Sequence, residues 1–546
     1  MLSRNLISLK TIFVLLLVSL LLHRISAQNA PQGAPLNPEY ILYLHDLQNG
    51  LATNVTADGH GLGYIPSRNK PDFSGYKAPE SPLTFPSVFD LRTTGKMTAV
   101  RDQGNCNSCW CFGTMGSMES RWKVLGFGDN NLSENNLKDC HLFDFGPCDG
   151  GNFSIAAAYM ARRAGPISEA DDPYSPSPQS CLQGLTPVAY ESSASILPKD
   201  MNVIKQTLMD NGAVYTSFYW NILDYNASDY TYFYNGSAYS NHSVTIAGWD
   251  DTKVTAGGTG AWIIKNSWGP GWGDGGYLYI SYNDSRILSE NGYFPARLSY
   301  SANSKIYNYD DFGMSGSWGF GNTIGYGLVK FVATNNWSVT RIGTWVNASN
   351  ASFDIEVYDN FNGTTLSGLL GSVYNQTSSF PGYYLFDLPI PIVMTAGNDF
   401  YVKIKYTTPG YIYPVPYECV STGYASNVTI QTGACWWGSN GTSWTAIGDG
   451  TYYPFDLCIK AYTELIPFTR TWTGSVNGNW NNVNNWNPSG IPSSTDNVFI
   501  PASTVHPLVI LVSGYSCNDL TVLHNATFTL NPGVVLTING KLVINQ

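Results

Sequence analysis

A thiol stands at the head of an apolar-periodic segment in Gln103-Gly104-Asn105-Cys106-Asn107-Ser108-Cys109-Trp110. Asn107 and Ser108 suit a helix N-cap, and Phe112, Met115, Met118 and Trp122 recur at helical spacing. The pattern therefore predicts a helix from Cys109 to about Lys123, stopped by Gly126. A thiol in the first turn meets the positive end of the helix dipole, which favours thiolate over thiol and strengthens Cys109 as a nucleophile. The segment alone leaves a buried structural cysteine equally open. Two distant segments bear on the choice. Asn241-His242-Ser243 enters the apolar run Val244 to Gly248, a short buried strand with an imidazole at its start. Ala261 to Gly269 reads as a second strand carrying Asn266 and Trp268, followed by the glycine-rich Gly271 to Tyr277. Cysteine, histidine and asparagine in this order supply a nucleophile, a base for its proton and a group that orients the base.

These three segments together resemble the signatures of the papain family of cysteine peptidases: Gln103 to Trp110 around the nucleophile, Asn241 to Trp249 around the histidine and Lys265 to Gly273 around the asparagine. The resemblance implies that Cys109 is the nucleophile, His242 the general base and acid, and Asn266 the residue that fixes the imidazole. It also implies that the Gln103 amide and the Cys109 N–H form an oxyanion hole, that Trp268 shields the Asn–His hydrogen bond and borders the substrate, and that no metal or cofactor is needed. Gly150 and Gly151 match the family's shelf, where bare backbone lets an extended substrate pair like an added strand. Phe85 to Arg92 resembles the start of the mature domain, which would run to about residue 300 as two lobes, helical first and β from about Ile196, with the cleft between them.

The positioning elements sit in a long, weakly charged chain. Its 546 residues allow several domains. Only 12% of them are Asp, Glu, Lys or Arg, and 28 basic against 39 acidic residues give a net charge of −11, which leaves nucleic-acid binding without electrostatic support. Residues 1–27 read as a signal peptide: Arg4 and Lys10 lead, Ile12 to Leu22 form a short apolar core, and Ile25-Ser26-Ala27 offers a cleavage site. No later stretch is long and apolar enough for a transmembrane helix, so the expectation is a secreted or cell-surface-associated protein with oxidisable cysteines. The resemblance pairs Cys106 with Cys148 and Cys140 with Cys181. Cys111, two residues from Cys109 on the same helix, faces elsewhere and reads as a buried free thiol. Cys419 and Cys435 are available to pair with each other, and Cys458 and Cys517 are left unassigned.

Residues 28–84 form a leader or short propeptide with one short helix around Glu39 to Leu47, without the long charged helical pattern usual in the family. Gly63-Tyr64-Ile65-Pro66-Ser67 reads either as a latch docking on the catalytic domain or as part of a flexible leader. The sequons Asn152-Phe153-Ser154 and Asn241-His242-Ser243 lie where a glycan would crowd the cleft, which points to a bacterial or archaeal source.

Beyond the α+β catalytic domain (85–300), residues 301–465 alternate in short strands (Val339 to Val346, Phe353 to Tyr358, Gly382 to Leu388, Phe400 to Tyr406, Asp456 to Tyr462). They read as an all-β sandwich similar to the lectin-like domain that follows papain-type peptidases in exported prokaryotic proteins. Trp436 and Trp437 offer rings for a sugar, against the plainer role of core. Residues 466–546 resemble a short β-solenoid-like module. The expected activity is cysteine endopeptidase hydrolysis of protein or peptide substrates. Its rival is a surface adhesin or glycan-binding protein whose peptidase domain serves only processing.

Overall fold

The computed structural model describes residues 31–52, 54–77, 83–449, 453–465 and 467–544. The signal-peptide reading of residues 1–27 lies outside them. The chain divides into two compact units, one of residues 1–334 with 339–462, the other of 335–338 with 463–546.

In the first unit the helix Cys109–Val124 is the spine of the catalytic half, and Phe112, Met115, Met118 and Trp122 are all buried. It ends where expected: Leu125 caps it and Gly126 turns away at φ 89°. Its small residues let a sheet press directly on it. A Cβ on Gly113 would lie 2.9 Å from the Tyr215 ring, and one on Gly116 2.7 Å from Thr245 Oγ1. That sheet is antiparallel through Val214–Phe218, His242–Thr255, Gly258–Lys265 and Tyr277–Ser281. Two further helices, Glu134–Cys140 and Phe153–Ala161, complete the helical lobe. Asn152 caps the second by accepting from Ile155 N–H at 3.0 Å.

The catalytic and lectin-like halves share one sheet. Strand Ser193–Leu197 pairs with Asn291–Tyr293 on one side and with Gly382–Val393 on the other, Ser195 lying opposite Gly382. The lectin-like half adds a six-stranded sheet whose inward residues Phe353, Ile355, Val357, Val402 and Ile404 are buried. The intervening Asp354 and Glu356 pair with Lys405 and Lys403 at 2.9 and 2.7 Å on the outer face. Four of the five expected strands are present with longer bounds, and the fifth, Asp456 to Tyr462, is broken at Cys458 into Phe455–Leu457 and Ile459–Glu464. Strands Ile324–Val332 and Leu366–Ser378 were not foreseen; the second is mostly solvent-exposed, so burial leaves no clear alternation in its sequence.

Two cysteine expectations divide. Cys106–Cys148 and Cys140–Cys181 are disulfides with Cα separations of 4.8 and 4.9 Å. Cys419 and Cys435 do not pair: both are free, and the buried Cys435 thiol instead lies 3.6 Å from Asp456 Oδ1. Cys111, Cys458 and Cys517 are also free and buried.

The second unit stacks parallel ladders. Thr469–Trp472, Asn497–Ile500, Leu520–Val522 and Leu542–Ile544 line one side, while Leu508–Ile510 pairs Phe528–Leu530 and Tyr515–Cys517 pairs Leu536–Ile538. The register repeats by about one turn of a solenoid, around a core of Trp472, Trp480, Trp486, Leu508 and Ile510. Among the described residues no helix is long and apolar enough to cross a membrane.

Candidate active site

The spine helix places Cys109 in its first turn, and the first residue of strand His242–Thr255 brings the imidazole to the same crevice. Asn266 follows directly on strand Gly258–Lys265, the antiparallel neighbour of the histidine strand, so their side chains meet: His242 Nε2 lies 2.9 Å from Asn266 Oδ1. The Trp268 indole stacks on His242 at 4.8 Å between ring centroids, and Phe218 meets the ring edge-on at 5.7 Å. Cys109 and His242 are fully buried, as is Gln103.

Gln103 is fixed at both ends of its amide. Its Oε1 accepts from Ser267 Oγ at 2.6 Å, so its Nε2 points into the crevice, where it donates to Cys106 O at 2.8 Å and to Gly61 O at 3.1 Å. Ser267 was not singled out from the sequence, although its place next to Asn266 is the signal that could have found it. Tyr174 was missed too. Its hydroxyl lies 2.7 Å from Ser108 Oγ and donates to Gln103 O at 2.8 Å, tying the glutamine loop to the helix start. The N-cap expectation is corrected accordingly: Ser108 occupies the cap position but makes no side-chain cap bond. Asn107 turns its Oδ1 to the leader, accepting from Leu62 N–H at 3.2 Å.

That leader fills the cleft. Gly63 N–H donates to Cys109 Sγ at 3.2 Å, beside Ser243 N–H at 3.3 Å. Gly151 N–H donates to Gly63 O at 2.9 Å, Ile65 N–H to Gly151 O at 2.9 Å, and Tyr64 N–H to Asn241 O at 3.1 Å, so the chain pairs with the shelf as an added parallel strand. His60 stacks on Trp268 at 4.9 Å. Glycine is required on both sides of this contact. A Cβ on Gly63 would sit 1.9 Å from Asn107 O, and one on Gly151 2.5 Å from the Trp110 ring. Gly150 holds φ 116°, and the Cys106–Cys148 disulfide anchors the loop that carries both shelf glycines. Beyond the shelf, Ser67 Oγ donates to the buried carboxylate of Glu290, which also receives Phe153 N–H at 3.5 Å.

Burial under the leader reverses the electrostatics expected of the helix start. It pushes the Cys109 thiol up to about 11, only partly offset by the N–H groups of Ser243 and Gly63. Burial also lowers His242 to about 4, its bond to Asn266 opposing. Sulfur and imidazole are both neutral here, and His242 Nδ1 makes no hydrogen bond among the described residues. Desolvation outweighs the helix dipole because the dipole contributes only a fraction of a unit charge. The two sequon amides are likewise buried, with Asn152 Nδ2 donating to Ile65 O and Asn241 Nδ2 to Trp220 O, which leaves no room for a glycan on either. No group of three or more His, Cys, Asp or Glu among the described residues is placed to hold a metal ion.

Residues 85–294 match the papain family cysteine protease, residues 306–463 a lectin-like domain, and residues 471–546 a domain of unknown function. Digestive cysteine proteinase 2 of Homarus americanus is 31% identical over 233 residues, 40% of this chain and 69% of that protein. The chain belongs to the papain family of cysteine proteases. Cathepsin K of Mus musculus is 29% identical over 272 residues, 48% of the protease chain and 79% of its own. A viral cathepsin of Heliothis zea nuclear polyhedrosis virus is 32% identical over 218 residues, 38% and 57% of the two chains. The chain thus spans less than two thirds of the length of most of the curated relatives it matches, and 79% of cathepsin K. The paired catalytic and lectin-like fold is shared with the cysteine protease and lectin-like domains of Cwp84, a surface layer associated protein of Clostridium difficile. That match has a TM-score of 0.68 at 20% identity and covers 80% of this chain and 98% of the other.

Proposed function

We propose that the protein is an exported cysteine endopeptidase made as a latent precursor, with Gly61 to Ser67 of its leader lying across the catalytic residues. The observation that carries this reading is the occupied cleft: a peptide carbonyl lies on the Gln103 amide and a peptide N–H on the Cys109 sulfur, at the end of the His242–Asn266 pair. With the leader gone, His242 takes the thiol proton and the sulfur attacks a substrate carbonyl. The resulting oxyanion is held by Gln103 Nε2 and the Cys109 N–H. His242 then protonates the leaving amine, and water hydrolyses the thioester with the imidazole as base. Asn266 holds the ring through Nε2 and so leaves Nδ1 to take the thiol proton, and Trp268 keeps water off that bond. The shelf at Gly151 has both backbone groups available for an extended chain, which favours cleavage within polypeptides.

A thiol-directed epoxide added to protein freed of its leader should label Cys109 alone, as mapped by peptide mass, and abolish casein hydrolysis. Label on Cys111, or none, would sink the assignment. Export is supported by the pattern of residues 1–27 and by the two disulfides. Likeness to a surface layer associated protein favours a place at the cell surface. A second reading, glycan contact through the lectin-like domain, is favoured by Trp436. It is half-buried on the outer sheet face beside Phe361 and Tyr401, at 5.1 and 6.4 Å, whereas Trp437 is core. The adhesin alternative gains if Cys109→Ala abolishes hydrolysis and leaves binding to cells and any biological effect unchanged.

A further inference from the structure

The leader does not end its contacts at the cleft. After Ser67 it runs straight onto the lectin-like domain, and there the contacts change character. Asn347 O accepts from Asp72 N–H at 2.8 Å, and Asn347 Nδ2 donates to Lys70 O at 3.0 Å. Ser349 N–H donates to Asp72 O at 2.9 Å, and the Asn350 side chain donates to Gly75 O. Every one of these groups addresses the leader's main chain, so the surface reads backbone more than sequence, with a glycine required at Gly75, where a Cβ would lie 2.8 Å from both Pro409 O and Ser349 O. Side chains enter at the start of the track, where Arg68 donates to Ser315 O and Asn69 donates to Met314 O at 2.7 Å, and at its end, where the Tyr76 ring lies 5.9 Å from that of Phe380. Asn347 Oδ1 is buried without a partner, leaving one acceptor unused by the leader.

We infer that the face of the lectin-like domain covered by residues 68–76 is a docking track for extended protein substrates, taking the segment that leaves the cleft beyond the Gly151 shelf. This rests on the peptidase reading above. Continuity is the argument: one chain segment runs from the Cys109 sulfur to Asp72 and turns at Phe73–Tyr76 beside Asn350, so a substrate that replaces the leader in the cleft emerges onto the same row of backbone-reading groups. The preferred segment is extended and carries hydrogen-bond donors, a basic side chain foremost, where Arg68 and Asn69 now lie. The lectin-like domain would then help to select polypeptides by length as well as brace the catalytic half.

The test uses the full chain with a site-specific protease sequence inserted after Lys77, cut to free the leader, and the synthetic peptide Arg68–Lys77 as competitor. The peptide should raise the KM for casein severalfold and leave a tripeptide reporter, too short to leave the cleft, unaffected. Asn350→Gly deletes the amide while tolerating the local φ of 51°. It should raise the casein KM, leave the reporter unchanged and blunt the effect of the peptide. Equal inhibition of both substrates, or of neither, would overturn the track, as would an unchanged casein KM in Asn350→Gly. Fluorescence anisotropy of the labelled peptide on leader-freed Cys109→Ala separates the two readings. Binding that Asn350→Gly weakens supports the track even if hydrolysis fails, and no binding overturns it even if hydrolysis proceeds.

Discussion

The catalytic cleft and the outer face of the lectin-like sheet use polar groups in opposite ways. In the cleft a few fully buried atoms carry everything. One sulfur, one ring nitrogen and one amide are each held by one to three named bonds, and glycines stand where a single carbon would collide. On the sheet, Lys403–Glu356 and Lys405–Asp354 repeat across strands beside the half-buried Trp436, and no atom is irreplaceable. Concentrated function should fail by orders of magnitude on one substitution, and distributed function by small factors. Each expectation below breaks or sharpens that contrast.

The largest effect belongs to the sulfur. Cys109→Ser should cut casein turnover by about 10⁴-fold or more, since removing a nucleophile from a coupled set disables the whole set. Gln103→Ala comes next, at roughly 10² in kcat with little change in KM, because its amide acts on the oxyanion. A loss in KM instead would mean that Gln103 only binds the ground state. Both are read by steady-state kinetics on leader-free protein. A milder change should follow from Gly63→Ala in the uncut chain. The added Cβ meets Asn107 backbone oxygen, which cannot swing aside, and overpacking of that kind costs about 1–3 kcal/mol. The leader should lift and reporter cleavage should rise roughly tenfold or more without processing. Unchanged latency would show that the lectin-like contacts alone can hold the leader down.

The contrast also explains what could be read from the sequence. The meeting of Cys109, His242 and Asn266 in one crevice was legible because the roles proposed for them, nucleophile, base and orienter, require particular residue types, each beside a strongly patterned helix or strand. Gly150 and Gly151 were legible because a close backbone approach admits no side chain. The lectin-like sheet yielded its buried, alternating strands and hid Leu366–Ser378, where solvent on both faces removes the period-two signal. The elevated thiol of Cys109 was illegible for another reason. The helix dipole is local to the motif, whereas the burial that defeats it comes from Gly61 to Ile65, more than forty residues upstream. Latch and flexible leader looked alike because the bonds across the shelf are made by leader backbone, which carries no residue signature.

Trp436→Ala gives a smaller expected effect, about tenfold or less in retention on insoluble polysaccharide, the scale of one exposed ring among several. Trp437→Ala would instead cost stability, as its ring lies in the sandwich core. A thermal melt beside the binding assay tells the two apart. Complete loss of retention with Trp436→Ala would mean that the sheet face is as concentrated as the cleft.

The finest test concerns the acid at the edge of the docked leader. Burial raises Glu290 to about 7, from an ordinary value near 4.5, with Ser67 and Phe153 N–H opposing. A carboxyl raised in the docked form holds a proton there that the undocked form releases. Docking therefore takes up a proton between about pH 4.5 and 7 and weakens as pH rises through that window, with little change outside it. Phe153 N–H stays on the carboxylate when Ser67 leaves, so only part of the shift belongs to docking and the change should be about tenfold or less. Reporter cleavage by the uncut chain, divided by that of the leader-free chain at each pH, should climb from pH 4.5 to 7, and Glu290→Gln should flatten the climb. A ratio that falls with pH would place the controlling proton on a group other than Glu290.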